Sequence, residues 1–223
     1  MKQKSYEYKL DLKVGNMLNI LIMIVLLIFL YFTMDINIEF HFYHFSILFL
    51  WLILHEIIHY FAYLINKDVN KEKLYLGMAM EKGLLYCQCS DLISRKSIII
   101  SLLSPFMLIG VVTLVLAYIV NSSLLALLSI INIAGSIFDI LMAIQMFKMP
   151  KDIKFGELGD FDAYYIVTHH NIENINVLGL KLTDKKEYKK EELKSKQTKR
   201  INISKISWLF LLFAFLIIIF DFI

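Results

Sequence analysis

The sequence predicts an all-α polytopic membrane protein of about five transmembrane helices, with one small β-hairpin after the second. Three observations carry that reading. The 223 residues are 58% hydrophobic and include only 8 glycines and 2 prolines, so the apolar runs are not punctuated as turns would require. Five of those runs approach the roughly 20 residues that a helix needs to cross hydrocarbon. Lysine and arginine, finally, crowd some of the connections and are missing from others. The composition also excludes classes. Two cysteines cannot build a disulfide framework, and no basic patch interleaved with aromatics marks a nucleic-acid partner.

The first span lies near residues 17–32 behind a basic flank of Lys2, Lys4, Lys9 and Lys13. Tyr31-Phe32-Thr33-Met34-Asp35 lacks the small-residue pattern of a cleavage site, so the span is read as an anchor and not a signal peptide. The second span covers 44–65. After it, Lys73–Met80, the turn Glu81-Lys82-Gly83 and Leu84–Ser90 read as a β-hairpin over 73–90. Spans near 98–120 and 124–147 follow, joined by the uncharged 121–123. A lysine-rich stretch leads to a last span at 206–223.

The connections 67–96 and 148–205 are rich in Lys and Arg, whereas 33–43 and 121–123 carry none. The positive-inside rule therefore places the N-terminus and both basic connections in the cytoplasm of a multi-pass cell-membrane protein. The domain reading is a membrane-embedded core over 1–165, a cytoplasmic lysine-rich linker over 166–205 that rests on anionic headgroups, and a C-terminal transmembrane helix over 206–223. Oligomeric state has no signal in the sequence.

The second span contains His55-Glu56-Ile57-Ile58-His59. Two imidazoles four residues apart share one helix face and can reach one metal ion. Glu56 projects beside them, where a carboxylate can take a proton from an activated water. Three ionisable groups inside an apolar helix are costly without a compensating partner. The bland alternative is a histidine pair satisfied by helix–helix hydrogen bonds.

An open zinc site needs a third protein ligand. Ser129, Asn132, Ser136 and Asp139 form one polar stripe on the otherwise apolar fourth span, and Asp139 is the only acid in it. At 1.5 Å per residue, His55 and His59 lie about 18 and 12 Å from Lys67, and Asp139 lies about 13 Å from Lys148, so the three meet at one depth. Ser104-Pro105 kinks the intervening span at about 12 Å inside Lys96. Glu157, Asp160 and Asp162 remain as alternative ligands that would have to fold back. Asn132 either steadies substrate or holds helices together. His41 and His44 read as interfacial, His169 and His170 as surface residues, and Cys87 and Cys89 as small apolar residues of one strand face. The hairpin either offers an edge for an extended substrate or merely caps the helices.

These residues resemble a known family. His55-Glu56-x-x-His59, the β-like segment ending in Tyr86-Cys87, the Ser104-Pro105 span and Asn132 to Asp139, roughly residues 45 to 165, look like the bacterial zincin-peptidase family of polytopic membrane proteins, related in layout to site-2 proteases. Site-2 proteases carry their acid in an Asn…Pro…Asp-Gly pattern. Here the Pro and the following Gly are absent, which implies a helix less broken near Asp139. The resemblance implies an intramembrane zinc metalloprotease acting on membrane protein or peptide substrates, with His55, His59 and Asp139 as zinc ligands and Glu56 as general base for a zinc-activated water. The alternative is a non-catalytic membrane scaffold or immunity-type protein with a structural or vestigial metal site. A metal transporter fits less well, because the polar residues sit at one depth and form no path across the bilayer.

Overall fold

The computed structural model describes residues 3–35, 41, 43–66, 69–79, 84–157, 163–172 and 174–187. Helix α1 (Leu12–Thr33) starts where the Asp11 carboxylate accepts the Val14 amide, an N-cap that satisfies a donor the helix cannot. Its face of Met17, Leu21, Ile24, Val25 and Ile28 is about half exposed, a surface that suits lipid and not water. Helix α2 (Tyr43–Ile65) carries the histidine motif. Helix α3 (Arg95–Pro105), a π-helical turn (Phe106–Val112) and α4 (Thr113–Ile119) run on as one apolar rod of 25 residues. Helices α5 (Ser123–Gly135) and α6 (Ile137–Lys148) follow each other across a 48° bend.

The all-α expectation is overturned. Beside the hairpin of β2 (Leu74–Ala79) and β3 (Leu84–Cys89) stands a five-stranded antiparallel sheet. Its members are β1 (Lys4–Leu10), β4 (Ile93–Ser94), β5 (Lys154–Glu157), β6 (Ala163–Thr168) and β7 (Leu180–Glu187), in the order β4-β5-β6-β1-β7. The N-terminal lysines, read as the flank of an anchor, include Lys4 and Lys9 of β1, an interior strand between β6 and β7. Tyr6 and Tyr8 alternate with Ser5, Glu7 and Lys9, and the alternation turns both tyrosines into the core. Tyr8 stacks on Tyr164 of β6 with ring centroids 5.8 Å apart. Part of the segment expected to be a linker, 166–168 and 180–187, is also strand.

The count of five spans is corrected as well. Among the described residues three helices are long and apolar enough to cross a membrane, or four if the bent pair α5–α6 is one span. The expected span at 206–223, the linker beyond 187 and the hairpin turn at 80–83 lie outside the described residues.

Chain connections fix where the sheet sits. β1 runs directly into α1, β4 into α3, and α6 leads within a few residues into β5, so the sheet closes one end of the helices. One apolar cluster joins it to them through Tyr6, Tyr8, Phe155, Ile98, Leu141 and Met146. A second cluster of Leu30, Met34, Ala117, Ala126 and Ile130 packs the other end. Gly15 allows α1 and α6 to meet, since a Cβ there would stand 2.0 Å from the Phe138 ring.

Candidate metal centre

Helix α2 turns His55 and His59 toward α3, α5 and α6, with His59 buried. The two Nε2 atoms are 3.1 Å apart. Asp139 Oδ2 lies 3.4 Å from His55 Nε2 and 3.5 Å from His59 Nε2. A tetrahedral zinc with bonds of about 2.0–2.1 Å places its ligand atoms about 3.3 Å apart. The triangle has the size that zinc needs.

Hydrogen bonds fix which ring nitrogens face the centre. His59 Nδ1 is 2.8 Å from the Ser101 carbonyl oxygen, which only accepts, so Nδ1 carries the proton. His55 Nδ1 is 2.8 Å from Asn132 Oδ1. Asn132 Nδ2 donates to the Pro105 carbonyl at 3.1 Å, which orients the amide and again makes the ring Nδ1 the donor. Both Nε2 lone pairs therefore point at each other and at a carboxylate oxygen. Three electron-rich atoms converging in a largely buried place repel unless a cation or shared protons lie between them. The donor set of two imidazoles and one carboxylate fits zinc.

The bend between α5 and α6 delivers Asp139. It falls at Ser136, whose hydroxyl donates to the Asn132 carbonyl at 2.8 Å, and it puts Asp139 in the first turn of α6. A helix N-terminus favours a negative charge there. The expectation of a helix less broken near Asp139 does not hold. Within the polar stripe, Ser129 bonds Thr113 and the Leu125 carbonyl, so only Asn132 and Asp139 reach the histidines. Asn132 is buried behind His55, with both ends of its amide engaged.

Glu56 stands close enough to His55, His59 and Asp139 for their charges to interact, and its carboxylate accepts the Cys87 backbone N–H. Strand β3 thus passes beside the motif. Its Ser90 amide pairs with the Lys73 carbonyl across the hairpin, so by strand alternation the Cys87 and Cys89 amides point to the other edge. Cys89 N–H donates to Glu157 Oε2 at 2.9 Å, and the Tyr63 hydroxyl donates to Glu157 Oε1 at 3.2 Å.

The remaining candidates fall elsewhere. Glu157 serves the hairpin and Tyr63, and among the described residues His55, His59 and Asp139 are the group of metal-ligating side chains that converges. Asp160 and Asp162 lie outside the described residues. Burial raises the Cys89 thiol to about 12 and raises that of Cys87 further, so both stay protonated. His169 reaches Gln3, and His170 pairs with Asp152 at 3.2 Å on the surface. His41 stacks on Tyr43 and His44. Sequence reasoning missed the Ser101 carbonyl and the use made of Glu157. The first had a signal in Pro105, which removes a helix donor four residues on. The second had none.

The family model described as "Putative zincin peptidase" matches residues 48–154, a stretch that holds His55, Glu56, His59, Asn132 and Asp139. The match covers just under half of the chain and shows what that stretch is similar to. Zinc is therefore the metal for which the site is suited. Among curated proteins and among solved structures, none matches the chain.

Proposed function

We propose that the protein is an intramembrane zinc metalloprotease that hydrolyses peptide bonds of membrane-associated protein or peptide substrates. One observation carries this reading: His55 Nε2, His59 Nε2 and Asp139 Oδ2 converge at 3.1–3.5 Å among helices apolar enough to cross a bilayer. His55, His59 and Asp139 hold the metal. Zinc held there supplies a Lewis acid that polarises a carbonyl and acidifies water. Glu56 accepts the proton of the attacking water and returns it to the leaving amine. The surrounding apolar helices keep bulk water away from the carboxylates, which strengthens these interactions.

A helical segment hides its amides, so it must unwind before a carbonyl can be attacked. An extended strand pairs along the β3 edge by displacing the Glu56 and Glu157 carboxylates from the Cys87 and Cys89 amides. In this reading the membrane core spans 1–165 and the positively charged connections face the cytoplasm. The hydrogen-bonding of β1, β4, β5, β6 and β7 in one sheet supports a common side for the N-terminus and for residues 93–94, 154–168 and 180–187.

The test uses the purified full chain in detergent or lipid, zinc analysis, and a panel of transmembrane peptides. Wild-type protein cleaves and Glu56→Gln binds zinc without cleaving. Equal turnover by Glu56→Gln overturns the mechanism. Zinc-loaded wild type that cleaves nothing favours a non-catalytic scaffold.

A further inference from the structure

Pro105 sits within the apolar span and touches neither zinc nor substrate in the reading above, yet both metal-binding histidines trace back to it. In an α-helix the N–H of residue 105 would donate to the carbonyl of Ser101. Proline has no N–H. The next donor, Phe106 N–H, goes to the Leu103 carbonyl. The Ser101 carbonyl is the one that accepts His59 Nδ1 at 2.8 Å, and the Ser101 hydroxyl returns a bond to the His59 carbonyl at 3.4 Å.

The other side of the same residue serves His55. Beyond Pro105 the chain is π-helical over Phe106–Val112, which moves each carbonyl's helix partner along by one residue. The Pro105 carbonyl accepts Asn132 Nδ2, and Asn132 Oδ1 accepts His55 Nδ1. Gly110 leaves room for this, since a Cβ there would stand 3.3 Å from Asn132 Nδ2 and 2.9 Å from Ile133 Cγ1.

We infer that Pro105 is a positioning residue for the zinc site: its missing N–H frees the Ser101 carbonyl to hold His59 in the tautomer that turns Nε2 to the metal. The inference rests on the reading of His55, His59 and Asp139 as zinc ligands. Partners of this kind set ring orientation and ligand basicity, and their loss costs about 10- to 100-fold in metal affinity.

The experiment compares the full-length wild type with Pro105→Ala and with a backbone ester, lactic acid placed at position 105 by nonsense suppression. Alanine restores the N–H; the ester has the same methyl side chain and no N–H. Zinc affinity is read by chelator competition, and geometry by the visible spectrum of the cobalt-substituted protein. Pro105→Ala is expected to bind zinc at least about 10-fold more weakly and to shift the cobalt bands, while the ester keeps wild-type affinity and spectrum. Unchanged affinity in Pro105→Ala overturns the inference. Equal weakening in both variants also overturns it, because the ring and not the missing donor would then matter. If Pro105→Ala does not fold, the ester decides alone: wild-type affinity supports the inference and weakened affinity overturns it. His59→Ala is the reference; if it retains zinc, the ligand reading itself fails.

Discussion

The Cys89 amide donates to the Glu157 carboxylate at 2.9 Å, and through that one side chain the sheet, the hairpin and the end of the motif helix are joined, since Tyr63 donates to its other oxygen. One oxygen is thus used at the hairpin and the other at the end of α2, and neither at the candidate metal centre. Glu157→Ala is expected to leave zinc fully bound and to lower thermal stability. An orphaned amide costs about 1–3 kcal/mol. Loss of zinc in this variant would make Glu157 a ligand and displace Asp139.

Asp139 is tested by charge and reach. Asp139→Asn replaces an anionic ligand by a neutral one and is expected to weaken zinc binding by at least about 10-fold, with activity falling in step; Asp139→Glu retains part of both. Isothermal titration of the two variants decides it. Wild-type zinc affinity in Asp139→Asn rejects the assignment.

The histidines and Glu56 separate binding from chemistry. His55→Ala and His59→Ala are expected to lose the single zinc, whereas Glu56→Gln keeps it at about one per chain and cleaves nothing. Elemental analysis beside a peptide-cleavage assay reads both. Retained zinc in either histidine variant would end the proposal.

How much of this was legible in the sequence follows from distance along the chain. His55 and His59 are one turn apart, and a depth count sufficed to bring Asp139 to their level. The sheet was not legible, because its strands are short and its pairings remote: the Tyr6 hydroxyl bonds the His170 carbonyl across 164 residues. Tyr6 and Tyr8 alternate with Ser5, Glu7 and Lys9, but Lys4 and Lys9 fit a membrane flank equally well, so the alternation alone does not announce a strand. No proline announces the bend at Ser136; Gly135 and a serine hydroxyl bonded to the Asn132 carbonyl accompany it instead.

Packing against the site gives a further test. A Cβ at Gly15 would meet the Phe138 ring at 2.0 Å, while one at Gly135 meets nothing within 4 Å. Gly15→Val is expected to cost about 1–3 kcal/mol and to weaken zinc binding, because the displaced Phe138 is next to Asp139. Gly135→Ala is expected to be neutral or slightly stabilising. Thermal melts and zinc titration check both; an unperturbed Gly15→Val would show that α1 does not brace α6.

Thiol chemistry supplies a pH test. Burial raises Cys89 to about 12 and Cys87 above that, so the reactive thiolate is scarce at any pH below those values. Iodoacetamide at pH 8 is expected to modify neither cysteine in the folded protein and both after denaturation. Rapid modification of native protein at pH 8 would contradict the burial of β3.

The place of β1 between β6 and β7 has a consequence for the order of events during synthesis. The strand is translated before every other strand of the sheet, and its neighbours β6 and β7 begin at residues 163 and 180. At about 5–20 residues per second, β1 waits on the order of ten seconds or more with both edges bare. Every residue of the candidate metal centre has been translated before that wait ends. A nascent chain stalled after α6 therefore carries His55, His59 and Asp139 together with an unpaired strand, a form that quality-control proteases can recognise by its open edges.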